Sequence, residues 1–238
     1  MAQYEPVDAA NRIVHEHYRD CLAAFLASGV LSEHRTPTSD LDIVIVVASG
    51  PAPHRKTITA YGWLVELFVH TLESLPHFFD LDARDQRCTL ARMCTGYVVF
   101  DDAGVAGAIR AMAHGVIDAG PRALSSAEID ERRYHLTDLL DDVNGARDPD
   151  EIIFIAGQLI HQAGALVLAS QRQWRGTGKW MVRQLDATGG DFADRLAHSF
   201  RTLVVSGQRD ELNAVVTAAL SLVGGPLSDG YESTRTAE

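Results

Sequence analysis

Thr38-Ser39-Asp40-Leu41-Asp42 runs directly into Ile43-Val44-Ile45-Val46-Val47. Five consecutive β-branched aliphatic residues read as a buried strand. Side chains alternate along a strand with a period of two, so Asp40 and Asp42 fall on one face at its mouth. Two hard carboxylates held together suit Mg²⁺, which keeps several waters and is completed by substrate phosphates rather than by a closed protein cage. That points first to nucleotide chemistry. The competing reading is a turn or helix-cap cluster, because Ser and Asp also serve unpaired backbone donors in such places.

A third carboxylate weighs toward the metal. Trp63-Leu64-Val65-Glu66-Leu67-Phe68-Val69-His70 reads as a second strand, with one acid in an apolar run. A carboxylate there is costly unless it meets a cation or a strong donor. If the strand lies beside 43–47, Glu66 faces Asp40 and Asp42 and completes a metal-binding triad. If it is an edge strand, Glu66 turns to water.

With these residues the chain resembles the nucleotidyltransferase superfamily typified by DNA polymerase beta. Its closer likeness is to the aminoglycoside adenylyltransferases with a helical C-terminal domain. The family pattern is Gly-Ser, ten residues, Asp-x-Asp, and a later acid on a neighbouring strand. In this chain the Gly-Ser slot holds Ser28-Gly29, in reversed order, and Glu33 stands where relatives often carry Gly. Downstream, Arg133 to Asp142 and Trp174-Arg175-Gly176-Thr177-Gly178-Lys179-Trp180 resemble the helical domain of the same branch. The likeness runs from about residue 10 to about residue 205.

The resemblance implies an α+β fold and Mg²⁺-dependent transfer of AMP from ATP, or of NMP from another NTP, to a hydroxyl of a small, aminoglycoside-like acceptor. Asp40 and Asp42 would bind metal, and Glu66 would be a third ligand or the base that activates the hydroxyl. Ser28, Gly29 and Ser39 would contact the nucleotide, and Lys179 would reach its phosphates from the helical domain. The spacing around Lys179 is not that of a Walker motif. The reversed Ser28-Gly29 and Glu33 leave two further readings open. One is a weakened pseudo-nucleotidyltransferase that senses or binds nucleotide, and the other is an enzyme that AMPylates a protein.

The net charge of −11 divides as −6 over residues 1–119 (9 basic, 15 acidic) and −5 over 120–238 (12 basic, 17 acidic). Lys56 and Lys179 are the only lysines, and long nucleic acids need clustered cations, so a nucleic-acid partner is not expected. Arg35 and Lys56 are further candidate phosphate contacts. Cys21, Cys88 and Cys94 lack CxxC spacing, which argues against a disulfide framework or zinc site. No secretion signal is read at the N-terminus and no run reaches the ~20 apolar residues of a membrane span, so a cytoplasmic protein with no membrane partner is expected. The oligomeric state is not legible.

The expected layout is a small mixed-sheet domain over 1–119, a helical bundle over 120–223 and a flexible tail over 224–238. A helix is expected over 7–27, strands over 43–47, 63–70 and 96–100, and helices over 71–85 and 103–119, with Gly120-Pro121 as the boundary. Ser125 to Glu128 has the form of a capping box, and Asp148-Pro149 opens another helix. Segments near 149–172, 178–187, 190–206 and 208–223 complete the bundle.

Overall fold

The structure, a computed structural model, describes residues 3–233. The chain divides into two compact units, Met1–Gly120 and Pro121–Glu238. The fold is α+β. Among the described residues, five strands of the first unit form one mixed sheet in the order β3-β4-β2-β1-β5. The strands are β1 (Ala23–Leu26), β2 (Leu41–Val47), β3 (His54–Ala60), β4 (Trp63–Thr71) and β5 (Tyr97–Phe100). β2 and β4 run parallel; β1–β2, β1–β5 and β3–β4 are antiparallel.

The helices of this unit are α1 (Pro6–His17), α2 (Ser74–Arg84), α3 (Thr89–Cys94) and α4 (Ala106–Ala119). Leu41, Ile43 and Ile45 of β2 and Val65, Leu67 and Val69 of β4 share a core with Ala9, Ala10, Ile13 and Val14 of α1. The opposite sheet face carries Asp42, Val44 and Val46 beside Glu66, Phe68 and His70. Helices α2 and α3 contact this side of β4 and β2. Asp101, just past β5, caps α4 by accepting from the backbone N–H groups of Val105 and Ala106.

Two expectations are corrected here. The helix expected over 7–27 ends at His17, and Ala23–Leu26 is a strand buried at all four positions between β2 and β5. Such a short apolar run has no polar face to betray its period, so its spacing also fits a helix. β3, unanticipated, is an exposed edge strand. It turns into β4 through Tyr61 and Gly62, whose φ values of 54° and 82° suit a tight two-residue hairpin.

In the second unit, α5 (Ser126–Gly145), α6 (Pro149–Ser170), α7 (Lys179–Ala187), α8 (Phe192–Ser206) and α9 (Asp210–Ser221) pack as a bundle. Ser125 and Glu128 form the capping box of α5, with Arg122 paired to Glu128. α6 supplies Leu159, Ala163 and Leu166 to a core shared with α5, α8 and α9. At 22 residues it is long and apolar enough to cross a bilayer, contrary to the expectation from sequence; half of its apolar window is buried inside the unit, as in a core helix.

Residues 224–231 are tethered rather than loose. Arg133 donates to the carbonyls of Gly224 and Gly225, the Leu227 N–H donates to Thr137 Oγ1, and Tyr231 stacks on Tyr134 at 4.2 Å. Residues 234–238 of the expected tail lie outside the described residues.

Candidate functional site

The site begins with the turn that delivers Asp40. Ser39 Oγ accepts from the Thr36 backbone N–H at 2.9 Å, and the Ser39 N–H donates to the Thr36 carbonyl at 3.0 Å. Ser39 therefore closes a turn and sets the direction in which the chain enters β2. The turn chemistry read as a competitor to metal binding is real, but it belongs to Ser39. Asp40 and Asp42 follow at i and i+2, and the parallel register places Glu66 directly beside Asp42. One ligand oxygen from each of Asp40, Asp42 and Glu66 lies within 4.8 Å of the others, and all three residues are half-buried.

Three carboxylates this close raise each other's cost of ionisation. Asp42 shows it: burial first, then the charges of Asp40 and Glu66 and a hydrogen bond to Glu66, push its pKa up to about 6 from 3.8. Arg55 acts in the opposite sense on Asp42. Arg55 is the residue that sequence reasoning missed. It stands on β3 opposite Phe68, its guanidinium lies 5.0 Å from the Phe68 ring centre, and its Nη2 donates to Glu66 Oε2. The visible signal was only a cation on an exposed segment, with nothing to place that segment beside β4.

Hard oxygen donors of net negative charge, unable to separate because two strands fix them, fit Mg²⁺. The Arg55 pair neutralises part of one carboxylate and leaves the aspartates to a cation.

The other expected residues fall into separate places. Ser28 and Gly29 are exposed in a single 3₁₀ turn, Ser28–Leu31, at the end of β1. The Ala27 N–H donates to the Asp42 carbonyl at 2.9 Å, so this turn adjoins the aspartate end of β2 on its β1 side. A Cβ on Gly29 would meet nothing within 4 Å, so its backbone needs no glycine for close packing. Arg35 stacks on Trp63 at 4.7 Å and lies 3.8 Å from Glu5. Lys56 is exposed on β3 opposite Leu67, the sheet face away from Glu66.

Lys179 is exposed at the first position of α7, in the second unit. The glycines before it serve the backbone. A Cβ on Gly176 would lie 2.2 Å from the Trp180 carbonyl oxygen, and Gly178 enters the helix at φ 53°. Trp174 is buried, Trp180 is partly exposed beneath Arg183, and Asp138, Asp141 and Asp142 face solvent on α5.

No protein-family model matches the chain, and no curated protein matches it. Among solved structures, a nucleotidyltransferase-like protein from Exiguobacterium sibiricum 255-15 is similar at 8% identity and a TM-score of 0.45. That match covers 91% of this chain and 74% of the other.

Proposed function

We propose that this protein is a Mg²⁺-dependent nucleotidyltransferase that moves AMP from ATP to a hydroxyl of a small molecule. The observation that carries the reading is the convergence of Asp40, Asp42 and Glu66, from two parallel strands, within 4.8 Å. A bound Mg²⁺ would supply charge neutralisation at the phosphates and orientation of the reacting oxygens. Asp40, Asp42 and Glu66 would hold it. The register fixes Asp42 beside Glu66, and the Ser39 turn fixes where Asp40 enters, so the donors need no rearrangement to converge. Ser28 and Gly29, exposed next to the aspartate end of β2, would contact the nucleotide phosphates.

Glu66 takes the proton of the acceptor hydroxyl as its oxygen attacks the α-phosphorus. Arg55 orients that carboxylate by holding Oε2. The low lysine count and the acidic balance of both halves support a small-molecule acceptor over nucleic acid.

The test is pyrophosphate release from ATP and Mg²⁺ with a panel of hydroxylated acceptors. Asp42→Asn is expected to abolish release. Glu66→Gln is expected to lower kcat by about 10²–10⁴-fold, the usual worth of a positioned general base. Nucleotide binding that is unaltered by Mg²⁺ or by Asp42→Asn, with no pyrophosphate from any acceptor, overturns the proposal.

A further inference from the structure

Beyond Glu66 on the same sheet face lies a pocket of about 310 Å³. Phe68 and His70 of β4, Phe78 of α2, and Leu90 and Met93 of α3 form its walls, and Arg55 lines it as well. We propose that this pocket seats the acceptor, and that the acceptor is an uncharged aromatic alcohol or phenol rather than a polycationic aminoglycoside. The inference rests on the transferase reading above and names its second substrate.

Three observations carry it. The first is distance. Phe68 follows Glu66 by two residues on one face, a rise of about 7 Å, so an acceptor ring seated among Phe68, His70 and Phe78 extends its hydroxyl toward Glu66 alongside the Arg55 guanidinium that spans the two.

The second is the chemistry of the walls. His70 and Phe78 meet edge to face at 4.9 Å, and burial lowers the His70 pKa, so the imidazole is neutral at pH 7. Aromatic rings pack on such surfaces by offset and edge contacts. Asp82 also lines the pocket, but its Oδ2 already accepts from the Leu90 N–H at 2.9 Å. Arg55 has its charge paired to Glu66, and Asp82 is the one carboxylate among the lining residues, so the largely apolar, aromatic wall favours a neutral ring over a ligand that would have to bury several ammonium groups.

The third is topology. The Ser28–Gly29 turn adjoins β2 from the β1 side, whereas the pocket is bounded by β3 and β4 on the other side. The carboxylates thus lie between phosphates and acceptor. In-line displacement needs that order: the acceptor oxygen forms its bond to the α-phosphorus from one side. The bond to the bridging oxygen breaks on the other, its electron pair leaves with pyrophosphate, and the hydroxyl proton passes to Glu66.

The experiment titrates full-length protein, in EDTA, with 4-hydroxybenzyl alcohol, 2-naphthol and kanamycin, followed by saturation-transfer NMR. The same compounds are then incubated with ATP and Mg²⁺, and AMP esters are sought by mass spectrometry. Thr89→Trp fills the pocket from an exposed position at the start of α3, and Phe78→Ala removes a wall. The aromatic alcohols are expected to bind wild type and be converted to AMP esters, with binding at least tenfold weaker in either variant, and with the melting temperature unchanged in Thr89→Trp, whose position is exposed. Aromatic binding that is absent, or equal in wild type and both variants, overturns the assignment. Pyrophosphate release with kanamycin and none with the alcohols sinks the pocket proposal while leaving nucleotidyl transfer standing. Alcohol binding with no pyrophosphate from any acceptor sinks the transferase reading, and the acceptor role with it.

Discussion

Asp42 carries the electrostatic cost of the site. Its folded pKa is raised to about 6 from 3.8, so the native state holds a proton that the unfolded chain has released between those values. The stability this gives is complete below about pH 4, is lost as pH rises through about 6, and leaves a buried unfavourable charge above. Asn is neutral at every pH. In EDTA, Asp42→Asn is therefore expected to raise Tm by about 2–4 °C at pH 8 and to leave it unchanged at pH 4, a difference that thermal melts at the two pH values resolve. An equal gain at both would show that packing rather than charge is at work.

Metal binding needs the same carboxylate ionised, so Mn²⁺ affinity should fall as pH drops through 6. Arg55 competes for Glu66 in the metal-free protein. Its side chain is 59% exposed, which limits the pair to about 1 kcal/mol, so Arg55→Gln is expected to tighten Mn²⁺ binding by at most about fivefold in calorimetric titration. The triad was legible because a two-residue period forces Asp40 and Asp42 together and a lone Glu in an apolar strand demands a partner. Arg55 was not, because it reaches Glu66 diagonally across a register that no local pattern encodes.

Among the elements, those with a clean period or punctuation could be read: β2 and β4 from their apolar runs, α5 from its capping box, α6 from Asp148-Pro149. β1 could not, because Ala23-Ala24-Phe25-Leu26 is apolar on every side and only its neighbours β2 and β5 make it a strand. β3 could not, because its sequence is that of an exposed edge. The resemblance gives Lys179 a phosphate role, yet the glycines before it answer to the backbone of α7. A similar constraint sits where β5 begins. A Cβ on Gly96 would lie 2.1 Å from the Leu26 carbonyl oxygen, an atom of the β1 backbone that cannot yield without shifting the strand. Gly107, exposed in α4, has open space around it. Gly96→Ala is expected to cost about 1–3 kcal/mol in urea unfolding. Gly107→Ala is expected to stabilise by about 0.4–1 kcal/mol by restricting the unfolded chain. Equal effects would contradict the β1–β5 contact.

At the scale of the whole molecule, both halves are acidic, and self-repulsion is a tax on the folded chain that salt lightens without specificity. A cation at the triad acts differently. It binds the folded state alone, because the unfolded chain does not hold Glu66 beside Asp42, and it stabilises by about 2.7 kcal/mol at a concentration 100 times its Kd. For a chain of this size that corresponds to a rise in Tm of about 5–10 °C. KCl at matched ionic strength screens the net charge of −11 but cannot bridge three carboxylates, so its effect should be smaller and should persist in a variant carrying Asp40→Asn and Asp42→Asn. The Mn²⁺ shift should vanish in that variant. Differential scanning fluorimetry with Mn²⁺, KCl and the double variant separates the two effects. An identical shift from both salts would mean that the acidic cluster answers only to bulk screening and that no ion is held by Asp40, Asp42 and Glu66.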